Sequence, residues 1–117
     1  MKKIAPLTFA IILMISCEAI FVENISDITV STLAPSDGSS VSSGDITFSW
    51  EQIQDAESYE LQVALPSFSN ASQIVLDTLV TKTSVTKALS IGNYQWRIRA
   101  INSDYQTVYT TNSFTVN

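Results

Sequence analysis

The chain has 117 residues, with eleven acidic and six basic side chains, a net charge of −5 and no histidine. This length suits one domain with a single modest core. The absence of histidine excludes Ser-His-Asp and Cys-His nucleophiles and the usual His/Cys zinc and copper sites. The acidic balance disfavours nucleic acid as a partner, because phosphate backbones are repelled. We therefore expect no cofactor and no metal.

The N-terminus has the organisation of an export signal. Lys2 and Lys3 precede an apolar run, which ends at Ser16 and the chain's one cysteine, Cys17. The run is too short to span a membrane, which predicts a signal peptide over residues 1–16. A lone cysteine cannot form an internal disulfide, so we favour a functional Cys17 over the alternative, a buried apolar thiol.

The segment Leu13-Met14-Ile15-Ser16-Cys17 resembles the lipobox of bacterial lipoproteins, although Met14 stands where leucine is usual. The resemblance implies cleavage before Cys17 and a lipid on its thiol. The membrane would then be a partner through the N-terminal lipid, and the protein would be anchored to the bacterial envelope, with the outer membrane as the expected site. Residues 17–27 are predicted to form the lipidated tether.

From residue 28 onward, short apolar and polar alternations separated by turn clusters predict an all-β protein. The pattern indicates a seven-stranded antiparallel β-sandwich over residues 28–117. Residues 39–44 and 67–70 are expected to be loops, and the fourth strand, whose register stays open, is expected to be an edge. The predicted strands are 28–34, 45–51, 59–65, 74–76, 80–89, 94–100 and 107–116.

Alternation also predicts which aromatic side chains belong to the core. Trp50 and Trp96 lie on the inward phase of their strands, so core packing is favoured over a sugar-stacking platform. Tyr94 begins the sixth strand directly after the turn at Gly92.

The segment from Leu89 to Ala100 resembles the E-to-F corner and F strand of bacterial fibronectin type III domains, which have an immunoglobulin-like fold. In that resemblance Tyr94 is the tyrosine corner, whose hydroxyl bonds a backbone group upstream, and Trp50 is the B-strand tryptophan. The likeness covers Ile28 to Val116. Because such sandwiches serve as spacers, adhesins and binding modules, it implies no activity.

Two narrower resemblances concern glycans. Trp50 to Phe68 looks like the first sandwich domain of starch-utilisation outer-membrane lipoproteins, without their further carbohydrate-binding domains. Asp77-Thr78-Leu79 looks like the O-glycosylation sequon of the same bacterial group, which implies a glycan on Thr78.

Among surface residues, Phe68 and Tyr105 are the candidates for ligand or partner contacts, since each lies in a predicted loop beside hydrogen-bonding side chains; incidental exposure is the simpler alternative. Strand order places Tyr105 at the pole where the chain enters and Phe68 at the opposite pole, which favours Phe68. Arg97 and Arg99 face outward, and pairing with Glu60 is favoured over an acidic ligand.

Three carboxylates, Glu51, Asp55 and Glu57, surround the second turn. A calcium site or a glycosidase-like pair there is disfavoured, because a turn on a small sandwich offers no cleft. The sequence thus predicts no enzyme but a non-enzymatic, lipid-anchored envelope protein at the cell surface, acting as a binding or structural interaction module. The alternative is a glycan-binding accessory lipoprotein of a polysaccharide-uptake system, and the envelope partner is unknown.

Overall fold

A computed structural model of the chain describes residues 21–117. The predicted signal peptide and the lipidation of Cys17 lie outside the described residues. Within them, no helix is long and apolar enough to cross a membrane.

The described chain forms two packed β-sheets, as the alternation predicts. One sheet has the order β1-β3-β6 and the other β2-β8-β7-β4-β5. The strands are β1 Thr32–Ala34, β2 Ser39–Val41, β3 Gly44–Trp50, β4 Ser58–Leu65, β5 Gln73–Val80, β6 Ser84–Leu89, β7 Gly92–Ile101 and β8 Thr110–Val116.

β2 corrects two predictions, the count of seven strands and the purely antiparallel arrangement. Residues 39–41, expected to be loop, pair in parallel with β8, from Ser39 opposite Phe114 to Val41 opposite Val116. Three residues are too few to show alternation, and their partner lies more than seventy positions along the chain. The sandwich therefore has eight strands, one of them parallel to its neighbour.

The predicted fifth strand is divided between two elements. Val80 ends β5 in the larger sheet, and Ser84 begins β6 in the smaller one. The chain crosses between the sheets at residues 81–83, where Thr-Lys-Thr lacks the glycine or proline that usually marks a turn. Because threonine favours strands, composition alone concealed this crossing.

The open register of the predicted fourth strand has a structural cause. β5 is an edge strand, as expected, and its pairing with β4 shifts between Val63 and Ala64, which face Leu76 and Ile74. Val75 is the extra residue of this β-bulge. Val75 and Leu76 are consequently both half-buried, so neither alternation phase describes the strand.

The core lies between the sheets and is aromatic at its centre. Phe48 makes edge-on contacts with Trp96 and Phe114, with ring centroids 5.3 and 5.8 Å apart. Trp50 packs on Tyr59 at 5.6 Å. These rings and the inward residues of β3, β4 and β7 are buried together, which accounts for most of the apolar stabilisation of a small sandwich.

The packed region begins before residue 28. Ile25, in the segment expected to be tether, is fully buried in the core, whereas Ile28 is exposed. The amide of Ile28 donates to the carbonyl of Ile25, forming a turn that directs Ile25 inward. The first strand also starts later than predicted, at Thr32.

Candidate functional site

The outward face of the five-stranded sheet carries a group of charged and aromatic side chains. The alternation that buries Leu61 and Ile98 turns their neighbours outward, and the register sets Glu60 opposite Arg99 and Gln62 opposite Arg97. Two rings from outside these strands complete the group. We call it the aromatic–arginine cluster, and its members are Glu60, Gln62, Phe68, Arg97, Arg99 and Tyr109.

Arg97 is held at the centre of this cluster. Its Nε donates to Oε1 of Gln62 at 2.7 Å. Its guanidinium carbon lies 4.1 Å from the ring centroid of Phe68 and 4.2 Å from that of Tyr109. Both distances are those of cation–π contacts. The guanidinium is thus fixed in orientation by one hydrogen bond and two rings.

Arg99 has a carboxylate of its own. Its Nη2 donates to Oε2 of Glu60 at 3.0 Å, and its guanidinium carbon lies 4.5 Å from the Tyr109 ring centroid. The Tyr109 hydroxyl donates to the other oxygen of Glu60. Glu60 therefore links β7 to the segment before β8; its pairing with Arg99 was predicted from the sequence, whereas its contact with Tyr109 was not.

These contacts change the titration of two groups. Partial burial favours the neutral form of Glu60, but the hydrogen bonds from Tyr109 and Arg99 and the charges of Arg99 and Arg97 together lower its pKa below the usual 4.5. Partial burial and the hydrogen bond to Glu60 raise the pKa of Tyr109 above 10.0. At neutral pH Glu60 is ionised and Tyr109 is protonated.

Phe68 lies in the loop where it was expected but does not extend into solvent. Its amide donates to Oε1 of Gln95 at 3.0 Å, which brings the loop down onto the sheet, and the half-buried ring covers Arg97. The two lysines of the domain, Lys82 and Lys87, lie apart from these arginines, since Lys82 is in the crossing between the sheets and Lys87 is on β6.

Tyr105 lies at the opposite end of the molecule from the β4–β5 loop that contains Phe68. Its loop is closed by Asn102, whose Oδ1 accepts from the amides of Asp104 and Tyr105 at 3.2 and 2.8 Å. Tyr105 is 36% exposed and makes no contact with the aromatic–arginine cluster in the described hydrogen bonds and ring contacts. Phe68 and Tyr105, the two loop residues predicted to make contacts, therefore do not form one site.

Asn102 also ties the entering chain to this end of the sandwich. Its Nδ2 donates to the carbonyl of Glu23 at 2.8 Å and to that of Asp55 at 3.2 Å. We call the end that holds Glu23, Asp55, Asn102 and Tyr105 the proximal pole, and the end that holds Ser39, Ser67 and Asn93 the distal pole.

The distal pole has a shallow depression of about 270 Å³. Its lining is uncharged and rich in hydroxyl and amide groups, and the Ser39 hydroxyl is buried there without a hydrogen-bond partner. The lining residues are Gly38, Ser39, Pro66, Ser67, Asn93, Tyr94, Gln95, Ser113, Phe114 and Thr115. Polar groups of this kind can bind a neutral, hydroxyl-bearing ligand.

The three aromatic residues expected to be structural are all buried. The Tyr94 hydroxyl donates to the carbonyl of Ser90 at 2.9 Å, which is the upstream bond of a tyrosine corner. Trp96 donates from Nε1 to the carbonyl of Pro35 at 3.0 Å. The indole nitrogen of Trp50 is buried without a partner. None of these rings offers a face to a ligand.

The remaining candidates lie apart from the cluster. Thr78 is half-buried on β5 and faces Leu61, a core residue, so its hydroxyl lies on the inner phase of an edge strand. Its glycosylation stays a prediction. In the described part of the chain, no three His, Cys, Asp or Glu side chains gather as metal ligands would.

Sequence reasoning missed Tyr109 and the contact of Phe68 with Arg97. Tyr109 precedes β8 in an irregular segment, and the rings come from positions 29 and 12 residues away from Arg97. The available signal was the facing of Glu60 and Gln62 by Arg99 and Arg97 on adjacent strands. That signal predicts a polar surface but not the rings that cover it.

Comparison with known proteins gives the fold. No protein-family model matches the chain, and no curated protein matches it. Among solved structures, a fibronectin type III domain from human KIAA0970 protein superposes with a TM-score of 0.55 at 12% identity, covering 75% of this chain and 72% of that one. The crystal structure of FN3tt gives a TM-score of 0.54 at 17% identity, covering 75% and 95%.

These likenesses show a fibronectin type III-like fold. At such identities they carry no information on ligands or activity.

Proposed function

We propose that this protein is a non-enzymatic binding or structural interaction module, exported and held on the bacterial cell envelope by a lipid on Cys17. The expected location is the outer membrane, with the domain presented to envelope partners. The fold is compatible with this role, and the sequence at Cys17 supports the anchor.

The observation that carries the binding role is the placement of Phe68, Arg97 and Tyr109 on an outward sheet face. A face that only has to be soluble needs small polar or charged side chains. Arginine and aromatic residues are instead enriched at the centres of protein interfaces, where they contribute most of the binding free energy. This face therefore has the composition of a contact surface.

The position of the N-terminal segment supports an orientation of the module relative to the membrane. Asn102 holds the backbone of Glu23 at the proximal pole, so a lipid on Cys17 would lie nearest to that pole. A short tether can reach only a few tens of ångströms, since an extended residue spans about 3.3–3.6 Å. The distal pole and the sheet face would then be the surfaces most open to partners.

The chemistry of the cluster does not suit Glu60 to act as the general acid of a hydrolase. A general acid of a glycosidase needs a carboxyl group whose pKa is raised by its surroundings. The pKa of Glu60 is lowered instead, because two arginines and Tyr109 stabilise its ionised form. Glu60 is suited to hold the cluster together rather than to donate a proton.

The anchor is tested by Cys17→Ala in cells that make the full chain. We expect the wild type to partition with membranes, to enter the detergent phase and to carry an acyl mass on its N-terminal cysteine. The variant should keep its signal peptide and lack the acyl mass. Wild-type protein without an acyl group would contradict the proposal, and Ser16→Ala serves as the matched control that should still be acylated.

A second candidate function is glycan binding in a polysaccharide-uptake system. The uncharged depression at the distal pole favours it, because the Ser39 hydroxyl there has no hydrogen-bond partner and the side-chain NH₂ of Asn93 makes no described hydrogen bond. We expect retarded migration in gels containing a neutral polysaccharide, and loss of retardation in Asn93→Ala with Asn70→Ala as control. Unchanged migration of the wild type in starch and other neutral glucans would contradict glucan binding.

A further inference from the structure

We propose that the outward face of the five-stranded sheet is a protein-binding interface centred on Arg97, which takes a carboxylate from an aspartate or glutamate of the partner. This inference rests on the proposed binding role and adds the chemistry of the partner. Its centre, Arg97, does not line the depression at the distal pole, although Gln95 both lines that depression and holds the backbone of Phe68.

Arg97 differs from its neighbour Arg99 in how its charge is balanced. Arg99 pairs directly with the Glu60 carboxylate, whereas the hydrogen bond of Arg97 goes to the neutral amide oxygen of Gln62, and Glu60 acts on Arg97 only through its charge. Within residues 21–117, Arg97 makes one described hydrogen bond, which its Nε donates. Its two Nη groups therefore remain for another acceptor. A carboxylate can accept from both Nη groups in a planar, bidentate arrangement.

The cluster prepares Arg97 for such a ligand. The rings of Phe68 and Tyr109 and the bond to Gln62 already hold the guanidinium. A partner therefore loses less free energy to the ordering of this long side chain than it would at a free arginine. The rings also displace water around the charge, which strengthens a charge-assisted hydrogen bond.

The surrounding surface indicates a protein rather than a sugar. Ile74 and Leu79 are 48% and 63% exposed, and their register opposite Ala64 and Glu60 puts them on the same outward face as Arg97. The same register puts the exposed Asp77 between them, opposite Gln62. Exposed aliphatic side chains are covered by apolar partner residues, whereas the hydroxyls of a sugar gain nothing from them.

The net charge of the domain further limits how much negative charge a partner can carry. The described chain carries four basic and ten acidic side chains, and two of the four basic ones belong to the cluster. A densely charged polyanion would be repelled by the rest of the domain. Because Asp77 already lies on this face, opposite Gln62, the fitting partner presents a single acidic residue, directed at Arg97, between apolar neighbours.

The test uses the two arginines as reporters, because the full sequence contains no others. The full chain, ¹⁵N-labelled and in detergent micelles, has only two arginine Nε–H signals, which Arg97→Lys and Arg99→Lys assign. The probes are the capped tripeptides acetyl-Leu-Glu-Leu-amide and acetyl-Leu-Gln-Leu-amide, and a glucuronate-containing disaccharide as the sugar carboxylate.

We expect the glutamate peptide to shift the Arg97 signal with millimolar affinity, and the glutamine peptide to bind about tenfold more weakly or not at all, as loss of a charged hydrogen bond predicts. Arg97→Lys should weaken binding by a similar factor, because an ammonium cannot form the bidentate pair. Lys82→Gln removes one positive charge outside the cluster and should leave binding unchanged.

The inference would be overturned by no shift of Arg97 up to about 20 mM peptide, by equal binding of the two peptides, or by tighter binding of the disaccharide. Equal loss in Lys82→Gln would also overturn it, because the effect would then be one of net charge. None of these outcomes bears on the acylation of Cys17, so failure of this interface and failure of the proposed anchor are separate results.

Discussion

The outward faces of the two sheets follow the same alternation but carry different chemistry. On the three-stranded sheet, Thr47 lies opposite Thr86 and Ser49 opposite Ser84, and the two threonine hydroxyls meet at 2.9 Å. On the five-stranded sheet, two arginines occupy outward strand positions, and two rings from irregular segments pack over them. The side-chain period decides which residues point outward. The chemistry of those residues decides whether they contact only water or also pack against one another.

This contrast predicts different costs for polar substitutions on the two faces. Glu60→Gln removes the carboxylate that holds Arg99 and Tyr109, so the free energy of unfolding should fall by about 1 to 2 kcal/mol. The control is Thr47→Val, which removes an exposed hydroxyl pair and should change it by less than about 0.5 kcal/mol. Urea unfolding measures both, and equal effects would remove the distinction between the faces.

The cost of Glu60→Gln should depend on pH. The pKa of Glu60 is lower in the folded protein than its ordinary value of 4.5, so its ionised form stabilises the fold above that pH. The contribution is lost as pH falls below 4.5 and through the lowered folded-state pKa. The stability difference between wild type and Glu60→Gln should therefore shrink in acid. A difference that is constant from pH 7 to the acid range would contradict this assignment.

A smaller effect is expected for Tyr109→Phe, which keeps the ring over Arg97 and removes the hydroxyl. The expected loss is about 1 kcal/mol, the value of one hydrogen bond to a charged group at a partly exposed site. Ultraviolet titration checks the same bond, because the pKa of Tyr109 is raised by burial and by Glu60. In Glu60→Gln the Tyr109 component of the curve, identified by its loss in Tyr109→Phe, should shift to lower pH, and an unchanged curve would show that Glu60 has no part in the shift.

Among the substitutions within the cluster, the smallest stability effect is expected for Phe68→Ala. One partly exposed cation–π contact is lost, which predicts a decrease of about 0.5 to 1 kcal/mol. Tyr105→Ala, at the proximal pole and outside the cluster, should cost less. The same two variants also compare the two surfaces in partner binding. If Phe68→Ala leaves partner binding intact while Tyr105→Ala abolishes it, the proximal pole, not the cluster, is the binding surface.

The parts of the fold that the sequence predicts are those with strong local alternation. The inward residues of β3, β4 and β7 are buried as expected, since each strand displays its own period. β2 is too short to show a period and is defined by a distant partner, β8. The crossing at residues 81–83 lacks a turn residue. Pairing over long separations and bulges such as that at Val75 leave little local signal.

The candidate site follows the same division. The outward direction of Arg97 and Arg99 and the facing of Glu60 follow from alternation and strand adjacency. The approach of Phe68 and Tyr109 depends on how two irregular segments return to the sheet, through Gln95 in one case and Glu60 in the other. Such returns arise from tertiary contacts, which one sequence does not display.

The pairing of β2 with β8 has a mechanical consequence. The chain enters at the proximal pole, where Asn102 holds Glu23, and reaches Asn117 at the other end, where its amide donates to Val41. A pulling force between these ends would run along the strands. The β2–β8 hydrogen bonds would then be loaded in shear and would have to break together, whereas a hairpin pulled from one side opens bond by bond. A module tethered to a moving surface would gain resistance to extension from the three residues of β2, Ser39–Val41.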